Sequence, residues 1–195
     1  MTQMTSVFLL AGSVRTTSYT RALVAAIADR LASAENVRTE VWDLRARPLP
    51  IADPAYHHNP EAHPNSEVRS FVNAAHSANA IVLATPIYHN GLSGVLKNAL
   101  DHLTIEHFYL KPVGLASHGG SRTTQAVEQL RIITRGVLGY AIATQLCTAE
   151  EDFTPSEQGE GMTLTATPLL ERVNLFCREL LIMADLMPYA RRLLG

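Results

Sequence analysis

The chain has 195 residues, 47% hydrophobic and 17% charged, with a formal net charge of −2. That composition excludes a mainly disordered polymer, and 16 Lys plus Arg against 18 Asp plus Glu exclude a nucleic-acid binder driven by a basic face. No stretch approaches the ~20 uninterrupted apolar residues of a membrane span. One cytoplasmic domain over 1–195 is expected at roughly 150 residues per domain. Met1-Thr2-Gln3-Met4-Thr5 has no positive charge, and the apolar run behind it lasts only from Val7 to Ala11, which argues against a secretory signal. Cys147 and Cys177 form no Cys-x-x-Cys pair and read as two small core residues in a reducing compartment.

Ser6–Ala11 is a continuous apolar run, the pattern of a strand covered on both faces. Leu23, Ala26, Ile27, Arg30 and Leu31 then recur at helical spacing within Ser18–Ala34, with Ser18 as N-cap. Arg38–Leu44 reads as a second strand. Arg45–Asn65 carries five prolines and reads as a long loop: a lid, an interface arm or a disordered tract. Ser66 is expected to cap a helix reaching about Ser77. Ala80–Thr85 is a third strand, stopped by Pro86, and a helix follows from about Ser93 to Leu103. Lys111–Ser117 is a fourth strand, and Ser121 to about Leu138 a helix. Tyr140–Leu146 is a fifth strand, Thr148–Thr165 a polar loop, and Pro168 to about Leu186 the last helix.

Strands alternating with helix-length crossovers imply a parallel sheet with helices on both faces. Five strands predict an α/β three-layer, flavodoxin-like fold in the order 2-1-3-4-5. Ligands in that architecture sit beyond the carboxyl ends of the strands. Attention therefore falls on the loops after Ala11, Thr85 and Ser117.

The first loop, Gly12 to Thr20, combines hydroxyls, Arg15 and the amides at a helix N-terminus. That is a good site for a phosphate monoester, the alternative being an ordinary polar turn. It lacks both the Gly-Lys-Ser/Thr of a P-loop and the spaced glycines of a dinucleotide fingerprint. In the second, Pro86 ends the strand, Tyr88 offers a flat face, and amides from Tyr88 to Gly91 are expected to meet a heteroaromatic edge. Gly91 is expected to permit close backbone approach, and Ser93 reads as a helix N-cap. In the third, Ser117-His118-Gly119-Gly120-Ser121-Arg122, paired glycines permit positive φ and leave amides for a planar ligand, a plain turn being the alternative.

Gly12-Ser13-x-Arg15-x-x-Ser18, Thr85-Pro86-Ile87-Tyr88-x-x-Gly91-x-x-Gly94-x-Leu96-Lys97-Asn98-x-x-Asp101 and Gly119-Gly120 together resemble the NADPH-dependent FMN reductase family. The resemblance spans about Val7 to Gly120. It implies FMN as cofactor, NADPH or NADH as co-substrate, and a second acceptor such as free flavin, a quinone or an azo compound. Ser13, Arg15, Ser18, Tyr19 and Thr20 are then expected at the FMN phosphate. Pro86, Ile87, Tyr88, His89, Asn90 and Gly91 are expected along the isoalloxazine ring, with Ser117, His118, Gly119 and Gly120 across from them. Lys97, Asn98 and Asp101 are read as structural or interfacial, and hydride transfer through a bound flavin needs no catalytic side chain.

The resemblance also implies a homodimer or homotetramer and admits a monooxygenase partner. Sulfonate-linked members that release flavin tend to carry an aromatic insertion where this chain reads Arg131-Ile132-Ile133-Thr134. The alternative function is an FMN-holding electron carrier or redox-sensing module, disfavoured by the weak net charge. A phosphate-ester enzyme would need a carboxylate at a strand end, where Ala11, Thr85 and Ser117 stand. His57, His58, His63, His102 and His107 lack acidic partners at metal-ligand spacing and read as exposed loop residues, so no metal is expected.

Overall fold

The order of apolar runs is realised as a five-stranded parallel sheet in the order β2-β1-β3-β4-β5. The strands are β1 (Thr5–Ala11), β2 (Val37–Asp43), β3 (Ala80–Pro86), β4 (Pro112–His118) and β5 (Tyr140–Thr148). The helices are α1 (Tyr19–Ala32), α2 (Ser66–Ser77), α3 (Gly94–Asp101), the single turn α4 (Ile105–Phe108), α5 (Gln125–Gly136) and α6 (Thr167–Leu194). A computed structural model describes residues 4–157, 159 and 161–194. Met1–Gln3 of the uncharged N-terminus lie outside the described residues, as do Gln158 and Glu160 of the polar stretch.

Alternation along β1 divides the core in two. Val7, Leu9 and Ala11 pack with α1 and α6, whereas Phe8 and Leu10 pack with α2, α3 and α5. Both faces are sealed, which is why the strand reads as a continuous apolar run. Gly114 on β4 admits α6, since a Cβ there would stand 2.3 Å from Phe176 Cζ.

Several boundaries differ from the sequence reading. Asn65, not Ser66, caps α2, its Oδ1 accepting from the amides of Glu67 at 2.8 Å and Val68 at 3.4 Å. Residues 121–124 remain loop before α5, and α4 was not anticipated. The polar stretch after β5 contains a 3-10 turn (Glu150–Asp152) and an antiparallel hairpin, β6 (Phe153–Pro155) with β7 (Met162–Leu164). Phe153 and Leu164 join the core from this hairpin, two apolar residues among polar ones. Helix α6 runs past Leu186 and through Pro188 because Leu180, Ala184 and Met187 keep one side of it buried. Its apolar residues divide, however: Ile182 and Leu186 face outward.

The Pro-rich stretch is ordered onto α2 and α3. It forms two 3-10 turns, Pro54–Tyr56 and Pro60–Ala62. Asn98 donates to the Pro50 carbonyl at 2.8 Å and accepts from the Ala52 amide at 2.9 Å. Lys97 pairs with Asp101 one turn on. These positions, read from sequence as structural or interfacial, make contacts within the chain. His57 and His58 are exposed as expected, but His63, His102 and His107 are buried. Among the described residues no three or more His, Cys, Asp or Glu are placed to hold a metal ion. None of the described helices is long and apolar enough to cross a membrane. Cys177 is buried and Cys147 half-buried, both as free thiols. Burial pushes the Cys177 thiol up to about 12 and raises that of Cys147.

Candidate cofactor-binding cleft

The three loops meet at the carboxyl edge of β1, β3 and β4 around an open cleft. Eleven of the fifteen residues singled out in the sequence line it: Ser13, Arg15, Ser18, Tyr19, Thr20, Pro86, Ile87, Tyr88, His118, Gly119 and Gly120. Glu150, at the tip of the turn after β5, lines it too. Nothing in the motifs pointed to Glu150, which reaches the cleft only through strand order.

The first loop is held from outside. Arg21 donates to the carbonyls of Arg15, at 2.7 Å, and Thr16. Arg45 donates to the Val14 carbonyl at 2.6 Å. Ser18 Oγ caps α1 by accepting from the Arg21 amide at 3.2 Å, while the Ser13 and Thr20 side chains are buried at the cleft. With carbonyls taken by arginines, the loop keeps amides, hydroxyls and a helix N-terminus, the donor set of an anion site. The Arg15 guanidinium has no ion pair or hydrogen bond among the described residues.

A second bond set joins this loop to the next one. Ser93 Oγ donates to the Gly12 carbonyl and accepts from the Leu96 amide at 3.2 Å, as N-cap of α3. The Ser93 amide donates to Thr85 Oγ1 at 2.9 Å. Gly12 is seated so closely that a Cβ would lie 2.8 Å from the Ala84 carbonyl oxygen and 2.9 Å from Leu96 Cβ.

The loop after β3 departs from expectation in its details. Tyr88 and Gly91 pair backbone to backbone, at 3.0 Å and 2.8 Å, closing a turn over His89 and Asn90 with φ of 48° and 62°. The amides of Tyr88 and Gly91 are therefore engaged within the turn. His89, Asn90 and Gly91 stand outside the cleft lining. Gly91 faces α5, where a Cβ would lie 3.0 Å from Gln129 Oε1. Tyr88 keeps an exposed ring at the cleft rim.

Across the cleft, Gly119 and Gly120 have no positive φ; among the described glycines only Gly159 and Gly161 do. Gly119 is needed for closeness instead, since its Cβ would stand 2.9 Å from Ile87 Cδ1. Nothing lies within 4 Å of a Cβ at Gly120. Ser117 lies beneath the floor, fully buried and outside the lining. His118 stacks on Tyr19, with centroids 4.4 Å apart and planes at 22°, and Phe153 closes the cluster edge-on to His118. Burial lowers the His118 pKa and nearby Arg15 adds to this, against the pull of Glu150, Asp152 and Glu151.

Arg122 anchors this third loop. Its guanidinium bonds both carboxylate oxygens of Asp152, Nε–Oδ2 at 3.1 Å, and pairs with Glu151 at 3.2 Å. The Ala149 amide also donates to Asp152 Oδ2 at 2.8 Å. Burial pushes the Asp152 carboxyl up, but Arg122 and that amide together hold it below its ordinary value. Arg122 closes the third loop as read from sequence, whereas Asp152 belonged to no motif.

Comparison with known proteins places the chain. Residues 5–152 match the model of the NADPH-dependent FMN reductase family, and the chain belongs to that family. It is 31% identical over 182 residues to the FMN-dependent NADPH-azoreductase of Staphylococcus aureus, covering 93% of this chain and 96% of that one. It is thus an FMN-dependent NAD(P)H oxidoreductase, with FMN as cofactor and NAD(P)H as co-substrate. The fold is shared with an oxidoreductase from Corynebacterium diphtheriae, at TM-score 0.75, 19% identity, and coverage of 94% of this chain and 98% of that one. It is shared also with the NAD(P)H:(acceptor) oxidoreductase FerB from Paracoccus denitrificans, at TM-score 0.71 and 17% identity, covering 92% and 98% respectively.

Proposed function

We propose that the cleft between the three loops holds FMN and that the enzyme passes electrons from NAD(P)H to a flat aromatic acceptor, an azo compound or a quinone. The carrying observation is the convergence of an unpaired Arg15, the buried Ser13 and Thr20 side chains, and a helix N-terminus at one end of a cleft whose other end is apolar and glycine-bordered. Ser13, Arg15, Ser18 and Thr20 hold the phosphate. Pro86, Ile87 and Tyr88 lie along one side of the ring, and Gly119 and Gly120 along the other, where open space at Gly120 admits a planar group.

Bound FMN would supply the two-electron redox chemistry between nicotinamide and acceptor. The protein's part is orientation and exclusion of water: Pro86 and Ile87 form a dry wall, and the exposed Tyr88 ring receives the incoming ring system. The azo preference rests on the Staphylococcus aureus relative. Helix α5 runs unbroken from Gln125 to Gly136, without an aromatic insertion. That favours FMN retained on the protein over release of reduced flavin to a monooxygenase. Outward-facing Leu175, Ile182, Leu186, Tyr189 and Leu193 on α6 favour self-association as a homodimer or homotetramer.

The test is an absorbance spectrum with added FMN, then NADPH and NADH oxidation with an azo dye, a quinone and free FMN as acceptors. Flavin-dependent reduction of dye or quinone on the protein supports the reading, and turnover with free FMN alone overturns the acceptor assignment. Light scattering after size exclusion decides the assembly, a monomer overturning that part.

A further inference from the structure

Thr148 Oγ1 donates to the Ser117 carbonyl at 3.2 Å, so its single proton is committed. His118 Nδ1 lies 3.2 Å from the same oxygen and is therefore the donor to it. This two-step relay fixes the tautomer: Nδ1 carries the hydrogen and Nε2 a lone pair. Burial disfavours the charged imidazole, in keeping with that tautomer. Nε2 has no partner among the described residues and is not among the sealed, unpartnered buried atoms. The ring's 9% exposure thus opens at that edge onto the cleft it lines. His118 also stands between the two ends of the cleft. It stacks on Tyr19, the first residue of α1 beside the phosphate loop, and precedes Gly119 at the ring end.

We propose that His118 Nε2 is a positioning acceptor for a hydroxyl of the ribityl chain that links the phosphate end of the cofactor to its ring. This rests on the reading of the cleft as the FMN site. A chain crossing from Arg15 to Gly120 passes the His118 edge, and only hydroxyls on it supply the donor that a lone pair requires.

The experiment compares dissociation constants of FMN, riboflavin and lumiflavin, which carries the ring without the ribityl chain, by fluorescence titration. His118→Asn keeps a donor for Thr148 and removes the Nε2 acceptor. His118→Gln places a carbonyl oxygen near the Nε2 position, and both lose the stack on Tyr19. His118→Asn should weaken FMN and riboflavin about three- to tenfold, the worth of one neutral hydrogen bond. Lumiflavin should be unchanged, and His118→Gln should recover most of the loss. Thr148→Val, nearly isosteric, removes the relay and should weaken the same two ligands.

Equal weakening of lumiflavin, no recovery with Gln, or unchanged FMN binding in both His118→Asn and Thr148→Val overturns the proposal. Arg15→Ala tests the underlying reading separately. It should weaken FMN but not riboflavin, and unchanged FMN affinity there removes the cleft assignment whatever His118 does.

Discussion

Ser93 Oγ donates to the carbonyl of Gly12 at 2.6 Å, joining the end of β1 to the start of α3 across 81 positions of sequence. The same oxygen caps α3, so one buried hydroxyl fixes a helix start and the spacing of two loops at the cleft. Ser93→Ala leaves the Gly12 carbonyl and the Leu96 amide without this partner and should cost about 1–3 kcal/mol of stability. Urea denaturation measures this, and an unchanged midpoint would contradict the role.

Arg21 holds the Arg15 and Thr16 carbonyls and lies 3.7 Å from Asp43. Arg21→Met keeps the apolar stem but releases both carbonyls. FMN should bind about tenfold more weakly, with little change in melting temperature because the pair is partly exposed. Calorimetric titration separates this from a folding defect.

Glycines divide into those that packing demands and those it does not. Gly114→Ala drives a methyl into Phe176 and Gly12→Ala drives one into the Ala84 carbonyl, so each should destabilise by about 1–3 kcal/mol or more. Gly94, at the start of α3, has nothing within 4 Å, and Gly94→Ala should stabilise by about 0.5–1 kcal/mol. Gly91→Val should leave FMN affinity nearly unchanged, because the added atoms meet the flexible Gln129 rather than the cleft. Thermal denaturation and FMN titration of the four variants check this order.

His107 accepts from the Thr104 amide at 3.0 Å, its Nε2 buried without a partner. Burial, with His76 and Lys111 adding to it, lowers its pKa from 6.5 to about 4. The unfolded chain therefore binds a proton below 6.5 that the folded chain refuses until about 4. Stability from this residue is complete above pH 6.5 and is lost as pH falls toward 4. His107→Gln, a capping-box side chain that does not titrate, should flatten the fall in melting temperature over that interval. An identical pH profile would contradict the assignment.

The sheet was legible because β1, β3 and β4 are sealed on both faces, and full burial writes an unbroken apolar run. The three loops were legible because position at a strand end, hydroxyls, Arg15 and glycines are local signals. What reached the cleft by tertiary pairing was not: Glu150, the Arg122–Asp152 pair, and the straps from Arg21 and Arg45 carry no periodicity. The turn at Tyr88–Gly91 was misjudged for a related reason. Backbone pairing within a loop decides which amides remain free, and side-chain identity does not report it. Helix α6 outlasted Pro188 because burial of Met187 outweighs one lost backbone bond.

With guanidinium groups already holding three of its carbonyls, the first cleft loop is set before any guest arrives. A phosphorylated ligand received there, as proposed, would lose little to ordering the loop. Substitutions at these straps should register chiefly as shortened residence of the guest.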